Sequence, residues 1–275
     1  MPNAVHGSVA LLWRYPVKSM LGEELSAVEL TERGLLGDRA YALVDSADGK
    51  VATAKNPKKW PTLFGFRATF IEPPRPGASV PPVRITLPDG TAATSQQKDL
   101  NQVLSKALNR TVTLNAAGRD HTRTMNAEEY WLDMEGLDFK DTVTDFTLPE
   151  GTFFDCATVH LLTTATLDRL HQLYPHGRFE VPRFRPNIVV VPAAADQDFV
   201  ENAWVGHTLA IGDSVRLGIT GPCGRCVMTT LAQGDLPRDP DILRTAAQHN
   251  KVSVGVYATV ERGGTIHRGD EVRVE

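Results

Sequence analysis

Short apolar segments separated by turn signals dominate the first 90 residues. Their positions alternate between hydrophobic and polar or are rich in β-branched and aromatic residues, a pattern typical of half-buried strands. The strands predicted in this part of the chain are 9–15, 25–30, 40–44, 63–71 and 83–87. Asp48-Gly49 and Asp89-Gly90 mark turns between strands. The proline-rich passage 73–82 is predicted to be a loop, because proline donates no ladder hydrogen bond.

One amphipathic helix is predicted after these strands. Leu100, Val103, Leu104 and Leu108 recur at helical spacing, and Asp99 precedes them as a candidate cap. A short strand over 111–114 follows in the prediction.

Residues 119–150 have a different character, because acidic residues prevail and no apolar period is sustained. We therefore predict an inter-domain connection in this segment. The predicted domains are 1–120 and 121–275.

The second half returns to short strands. The predicted strands are 158–162, 184–191, 208–211, 214–219, 252–260 and 270–274. Thr163 or Thr164 is expected to cap one helix, and Asp239-Pro240 to open another. Strands and helices do not alternate regularly, which argues against a doubly wound sheet. The pattern predicts a mainly β protein with a few α-helices, of the α+β class.

Composition and charge mainly exclude classes of function. The chain has 275 residues, a formal net charge of −4 and 41% hydrophobic residues, which is typical of a globular protein with one or two domains. The sequence contains no long block of Lys and Arg residues of the kind that binds nucleic acid. No apolar run approaches the roughly 20 residues of a membrane helix, and the N-terminus lacks the basic region of a secretory signal. We expect a cytoplasmic protein without a membrane or nucleic-acid partner.

The chain has three cysteines, Cys156, Cys223 and Cys226. A disulfide framework needs more cysteines and an even number of them. Two of the three cysteines lie three residues apart, in the hexapeptide 221–226. This spacing leaves open a redox dithiol, half of a zinc site, a single metal-binding thiolate or two buried core residues. A second closely spaced Cys or His pair, which zinc requires, is missing from the sequence. Arg225 would favour a thiolate on Cys226 and thus a soft metal.

Cationic residues in short motifs are candidates for anion binding. Lys18 and Ser19 follow the first predicted strand, although a lone lysine is more often a solvated surface residue. Arg39 opens another strand next to Asp38, with which it could simply form an ion pair.

Two further segments contain groups that could bind a phosphate. In an extended chain, Arg183 and Arg185 would project to the same side and form a guanidinium fork, to which Asn187 adds an amide. Thr163 and Thr164 offer hydroxyls and free backbone N–H groups at a strand-to-helix junction, where a plain helix cap is the equally natural alternative.

Motifs spread over nearly the whole chain resemble the MOSC family, named for the C-terminal domain of molybdenum cofactor sulfurase. The matching segments are 11–19 (LLWRYPVKS), 34–39 (GLLGDR), 183–187 (RFRPN), 223–230 (CGRCVMTT) and 265–270 (TIHRGD). The resemblance implies an N-terminal MOSC β-barrel-like domain and a C-terminal MOSC β-barrel domain. The sequence looks most similar to the amidoxime-reducing components and their bacterial relatives, which hold a molybdopterin-type molybdenum cofactor and reduce N-hydroxylated compounds.

The resemblance also implies roles for individual residues. Cys226 would be the catalytic thiolate ligand of molybdenum, and Cys223 would not be a ligand. The implied cofactor-binding residues are Lys18, Ser19, Arg39, Thr163, Thr164, Arg185, Asn187, Gly224, Arg225, Cys226 and Tyr257.

The expected reaction is a two-electron reduction of an N-hydroxylated or N-oxide compound. Three cysteines cannot build a four-cysteine iron–sulfur site. Electrons are therefore expected from a separate donor, and the resemblance implies that this donor is a cytochrome b5-like or ferredoxin-like protein with its reductase. Residues 231–233 (LAQ) replace the Val-Asp-Pro run of family reductases, which leaves the substrate class open. The alternatives are a non-catalytic carrier of the cofactor or of persulfide sulfur, and a β-barrel pair whose thiol has no redox role.

Overall fold

The computed structural model describes residues 5–118, 124–134, 140–193 and 198–275. It is built mainly from β-strands, as the alternation predicted. The strands are β1 (Val5–Arg14), β2 (Glu23–Leu25), β3 (Ala27–Thr31), β4 (Gly34–Leu35), β5 (Tyr41–Asp45), β6 (Arg67–Phe70), β7 (Val83–Thr86), β8 (Ala92–Thr94), β9 (Val112–Ala116), β10 (Asn126–Trp131), β11 (Thr142–Thr147), β12 (Val159–Thr163), β13 (Ile188–Pro192), β14 (Thr208–Ile211), β15 (Val215–Gly224), β16 (Ser253–Arg262), β17 (Gly264–His267) and β18 (Glu271–Val274). The helices are α1 (Leu100–Leu108), α2 (Thr164–Leu173), α3 (Val181–Phe184) and α4 (Asp241–Asn250).

Seven strands close into a barrel. Their order is β13-β12-β16-β15-β14-β18-β1, and β1 pairs with β13 to complete the ring. β12 and β13 run parallel with α2 and α3 between them in the chain, whereas the other neighbours are antiparallel. Leu12, Leu161, Leu217 and Val256 are fully buried in the core of this barrel. The barrel of the C-terminal half is thus completed by the first strand of the chain.

Most of the remaining strands form smaller sheets, and two of these sheets enclose a second core. β5 pairs with β9, β6 with β7 and β8, and β10 with β11. Leu43, Phe66, Ile85 and Leu104 are buried together in this second core, to which α1 contributes. The sheet of β3, β4 and β17 joins an early segment of the chain to a late one.

The segment 119–150 is not the irregular connection that the sequence predicted. Where the structure describes it, β10 and β11 form a hairpin, and Ala127 on β10 is buried against Val51. The hairpin lacks a strong apolar pattern because most of β11 is exposed. Residues 119–123 and 135–139, and with them the predicted boundary at 120/121, lie outside the described residues.

Two predicted strands begin later than expected. In 63–71, a 3-10 turn over Leu63–Gly65 precedes β6. In 184–191, the chain is still in α3 at Phe184, because Pro182 in the first turn favours a helix start. Arg185 then adopts a left-handed backbone with φ of 54° before β13 begins.

In the ranges that the structure describes, no helix is long and apolar enough to cross a bilayer.

Candidate functional site

A cavity of about 370 Å³ is lined by residues from both halves of the chain. Its wall is formed by the loop after β1, the loops around β5, strand β10, the segment before β12, the turn after α3 and the end of β15. The predicted cofactor-binding residues in this wall are Lys18, Ser19, Arg39, Arg185, Asn187, Gly224, Arg225, Cys226 and Tyr257. Residues that are up to 239 positions apart in the sequence therefore meet in one place.

Lys18 is a buried residue of the cavity and not a solvated surface lysine. Its side chain is 5% exposed, its ammonium group donates to Phe153 O at 2.7 Å, and it forms an ion pair with Asp155. Burial lowers the pKa of Lys18, and the Asp155 carboxylate opposes that effect. The neighbouring Ser19 has a left-handed backbone, and its hydroxyl accepts the N–H of Ala54 at 3.0 Å. The loop after β1 thus presents one fixed cation to the cavity.

A second cationic group surrounds the ring of Tyr15. The guanidinium carbons of Arg39 and Arg185 lie 4.6 and 4.2 Å from its centroid. Asp38 pairs with Arg39 and also accepts the Asn187 amide at 2.9 Å. Burial lowers the pKa of Arg185 to about 10, so this residue remains positive at neutral pH. The predicted Asp38–Arg39 pair exists, and it holds Arg39 at the cavity wall.

The cysteine loop supplies the thiols. Cys223 is fully buried, and its Sγ accepts from Arg225 Nη1 at 2.7 Å. Cys226 is half-buried and lies just after the end of β15. Burial raises the pKa of the Cys226 thiol to about 11, while the positive charge of Lys55 lowers it. Binding of a metal to this sulfur would therefore release a proton.

Several titratable residues of the cavity, among them Lys55, Glu129, Asp155 and His160, were not found by sequence reasoning. Lys55 Nζ lies 3.3 Å from Glu129 Oε2 and 3.4 Å from Asp155 Oδ2. His160 is held by Val254 O at 3.0 Å from its Nε2, and burial lowers the pKa of this histidine to about 3, so it is neutral. None of these residues belongs to a recognisable motif, and a single charged residue outside a motif looks like a surface charge in a sequence.

Thr163 and Thr164 lie outside the cavity wall. The Thr163 hydroxyl accepts the Thr166 N–H at 3.2 Å and donates to Glu201 Oε2 at 2.6 Å. It therefore forms the helix cap that was the alternative prediction. The two threonines are therefore separate from the residues that line the cavity.

The predicted guanidinium fork of Arg183 and Arg185 does not form. α3 turns the chain between them, and Arg183 is fully buried away from the cavity. Its guanidinium donates to backbone carbonyls, including Thr229 O at 3.2 Å and Pro237 O at 2.8 Å. Only Arg185 reaches the cavity.

The charges of the wall favour an anion. The cationic residues are Lys18, Arg39, Lys55, Arg185 and Arg225, and the acidic residues are Glu129 and Asp155. Arg225 Nε is buried without a hydrogen-bond partner among the described residues, which leaves a donor for a bound group. A Cβ added at Gly224 would meet no atom within 4 Å, so the backbone there is open to close approach. These features fit a phosphate-bearing group that carries a metal with affinity for sulfur.

Fold and site together define a two-part β protein with a cationic, thiol-containing cavity. The family model of the MOSC domain matches residues 149–273, and that of the MOSC N-terminal beta barrel domain matches residues 6–134. The chain belongs to the family of MOSC-domain proteins that carry this N-terminal domain.

Individual proteins are also similar to the chain. Mitochondrial amidoxime reducing component 2 of Macaca fascicularis is 29% identical over 97% of this chain and 83% of that protein. The Homo sapiens protein of the same name is 28% identical over 97% of this chain and 83% of that protein. The crystal structure of the YuaD protein of Bacillus subtilis matches with a TM-score of 0.50 at 13% identity, covering 100% of this chain and 98% of that one. The last match shows a shared fold.

Proposed function

We propose that this protein binds a molybdopterin-type molybdenum cofactor and reduces N-hydroxylated or N-oxide compounds. The observation that carries the proposal is that Cys226 and an excess of cationic side chains line the same cavity. A thiolate suits molybdenum, and guanidinium groups suit the phosphate of the pterin. MOSC domains are associated with this cofactor, and the similar proteins are named amidoxime reducing components.

The chain's own residues would bind and orient the cofactor. Cys226 is proposed as the thiolate ligand, and Arg225 Nε as a donor to the bound group. The other proposed cofactor-binding residues are Lys18, Ser19, Arg39, Arg185, Asn187, Gly224 and Tyr257. When bound, the cofactor supplies the two-electron redox change for the reaction. Overall, the substrate N–O bond breaks, two electrons and two protons are consumed, and water is formed together with the N–H compound from an N-hydroxylated substrate or the amine from an N-oxide.

Electrons are proposed to come from a separate cytochrome b5-like or ferredoxin-like protein with its own reductase. Cys223 and Cys226 line the cavity together with Cys156, and three cysteines are too few for a four-cysteine cluster. The chain therefore depends on another protein for its supply of electrons in this proposal.

The cysteine pair provides a matched test. The full chain is purified from a host that makes the molybdenum cofactor, and molybdenum and oxidised pterin are quantified per chain. We expect near-stoichiometric values for the wild type, loss of molybdenum and of reductase activity for Cys226→Ser, and retention of most of both for Cys223→Ser. Serine can still accept the hydrogen bond that Arg225 donates to Cys223.

Other outcomes would favour the alternatives. Equal loss of molybdenum in the two variants would indicate a dithiol. Wild-type protein that is folded but lacks molybdenum and pterin would contradict the proposal, and persulfide on Cys226 would then favour a sulfur carrier. Bound cofactor without turnover of any N-hydroxylated compound would indicate a cofactor carrier.

A further inference from the structure

A second, smaller pocket lies apart from the cavity of the candidate site. Its volume is about 80 Å³, and no residue of the described chain lines both of them. Strand β1, the loop after it, the start of α3 and the turn 233–236 form its wall. Since liquid water occupies roughly 30 Å³ per molecule, this pocket has room for a few waters or for one molecule of the size of acetamide.

Polar atoms without partners are concentrated at this pocket. Six buried side-chain nitrogen and oxygen atoms lack a hydrogen-bond partner among the described residues, and three of them belong to Trp13 and Gln233, which both line the pocket. These three are the indole Nε1 and the two polar atoms of the amide. A buried donor or acceptor without a partner costs free energy. A ligand that pairs with these atoms would recover that cost.

The backbone of Gln233 is fixed by a tight turn, and the residue is 3% exposed. Its N–H donates to Leu236 O at 3.1 Å, and the N–H of Leu236 donates to its carbonyl at 3.0 Å. Gly234, within the turn, has a φ of 58°, a conformation that favours glycine. Gln233 ends the segment 231–233 that replaces the Val-Asp-Pro run of family reductases. Its amide therefore stands where those reductases have a proline, which offers no side-chain hydrogen bond.

The rest of the wall provides apolar surface. The indole of Trp13 stacks on the ring of Tyr15, with centroids 6.3 Å apart and planes 17° apart. Tyr15, Leu21 and Pro182 line the pocket as well. The pocket thus combines a few polar atoms with aromatic and aliphatic walls, as small-molecule sites generally do.

Charged groups at the rim compensate one another. Glu180 and Asp235 line the pocket, and Arg178 pairs with both, at 2.6 and 2.7 Å. Arg67 also lines the pocket, where it donates to Gly22 O at 2.8 Å and pairs with no carboxylate among the described residues. Two guanidinium groups therefore balance two carboxylates, and the pocket favours a neutral ligand.

We propose that this pocket binds a small neutral amide, whose N–H and C=O groups pair with Oε1 and Nε2 of Gln233. A carboxamide presents a donor and an acceptor side by side, which is the complement of a glutamine amide. The indole Nε1 of Trp13 supplies a further donor to the carbonyl of the ligand. Tyr15, Leu21 and Pro182 contact the apolar part of the molecule. The site contains none of the proposed cofactor-binding residues, so this inference is independent of the proposed function.

The test follows the indole N–H signal of Trp13 in proton–nitrogen NMR spectra of the full chain from a cofactor-producing host. The chain has four tryptophans, and Trp13→Phe identifies the signal. Acetamide should shift this signal saturably, in roughly the millimolar range for so small a ligand. The signal of Trp131, in the wall of the cavity, should not move. Acetone has a similar shape without an N–H group, and acetate is charged, so both should bind about fivefold more weakly or less.

Gln233→Met nearly keeps the length of the side chain and removes the amide. It should weaken acetamide binding about tenfold or more, because two hydrogen bonds are lost. Gln102→Met is the matched control, since it makes the same change at an exposed glutamine of α1 and should leave the affinity unchanged. Without ligand, the urea midpoint of Gln233→Met should equal or exceed that of the wild type, because the substitution removes two buried atoms without partners.

Several outcomes would overturn the inference. They are a shift that grows linearly with acetamide concentration, a shift of Trp131 in place of Trp13, equal affinities for acetamide and acetone, and an unchanged affinity in Gln233→Met. A clear fall in the urea midpoint of Gln233→Met would also overturn it, because the amide would then be bonded within the protein. The comparison of acetamide with acetone uses the wild type alone and holds even if a variant does not fold.

Discussion

Arg183 and Arg185 lie two residues apart and have different roles in the structure. The guanidinium of Arg183 is satisfied by backbone carbonyls, among them Thr229 O and Pro237 O, and it does not line the candidate site. Arg185 stacks on Tyr15 and lines the candidate site. Arg183 connects α3 to the segment that follows the cysteine loop, so we infer that Arg183 stabilises the fold. Arg185 lines the cavity, so we infer that Arg185 binds the ligand.

Methionine substitutions should separate these roles. Arg183→Met removes four hydrogen bonds to backbone carbonyls, one of them buried and three partly buried, so the free energy of unfolding should fall by roughly 3 kcal/mol or more. Arg185→Met removes one hydrogen bond, from Nη1 to Met20 O, and should cost about 1 kcal/mol. Urea unfolding measures both values. In protein from a cofactor-producing host, Arg185→Met should also lower the pterin content per chain.

The two variants act as controls for each other. If Arg185→Met destabilised the protein as much as Arg183→Met, Arg185 would be a structural residue. If the midpoint of urea unfolding of Arg183→Met equalled that of the wild type, the carbonyl contacts of Arg183 would contribute little to stability.

At the scale of elements, the N-terminus of α2 is built around a buried carboxyl group. Thr163 and Thr166 donate to Glu201 Oε2 at 2.6 and 2.7 Å, and Glu201 Oε1 is buried without a partner among the described residues. Burial raises the pKa of Glu201. The 3-10 turn that carries Glu201 is thereby fixed to the start of the helix.

This carboxyl group should make stability depend on pH in a defined direction. Glu201 has a higher pKa in the folded protein than in the unfolded chain, where the pKa of a glutamate is about 4.3. The stabilising contribution is therefore complete below that pH and is lost as pH rises through the folded pKa. In urea unfolding from pH 4 to 8, the stability of Glu201→Gln relative to wild type should rise with pH and then level off.

An exposed glutamate provides the comparison. Glu32→Gln removes one negative charge from the surface, so the same measurement on it controls for the change of net charge. A difference between Glu201→Gln and wild type that does not change with pH would show that Glu201 titrates alike in the folded and unfolded chains.

Elements with a clear period were predictable from the sequence, and others were not. The strand 208–211 was predicted with the bounds of β14, and the spacing of Leu100 and Leu104 indicated α1. The β10–β11 hairpin was missed because β11 is largely exposed and has no apolar alternation. Glu129 and Trp131 were missed with it. Except for Tyr257, the predicted cavity residues stand in motifs, whereas Glu129 and Trp131 are recognisable only once the hairpin is folded against the cysteine loop.

For the whole molecule, the order of strands in space differs from their order in the chain. β1 begins beside the end of β18, with Val5 opposite Arg273, and its other edge pairs with β13. β3 pairs with β17, and Val28 and Leu30 are buried in the barrel core. Residues 5–36 therefore complete the C-terminal barrel. Periodicity predicted most of these strands, but long-range closure depends on pairings that no local pattern contains.

This closure predicts how fragments of the chain behave. A fragment of residues 121–275 lacks β1, so β13 and β18 become open edges with apolar faces, and we expect aggregation. In a permuted fragment, residues 148–275 are followed by a linker of two to four residues and then residues 5–36. The linker is short because antiparallel neighbours need only a tight turn. This fragment should be monomeric in size-exclusion chromatography and unfold cooperatively in urea.

The comparison of the two fragments isolates the contribution of the early strands. Cooperative unfolding of monomeric 121–275 would show that β1 is dispensable and that the C-terminal half is an independent domain. Aggregation of both fragments would show that the barrel also needs the second core, against which the candidate site is formed. If only the permuted fragment folds, it should still fail to retain pterin, because it lacks Arg39 and Lys55, two of the cations that line the cavity.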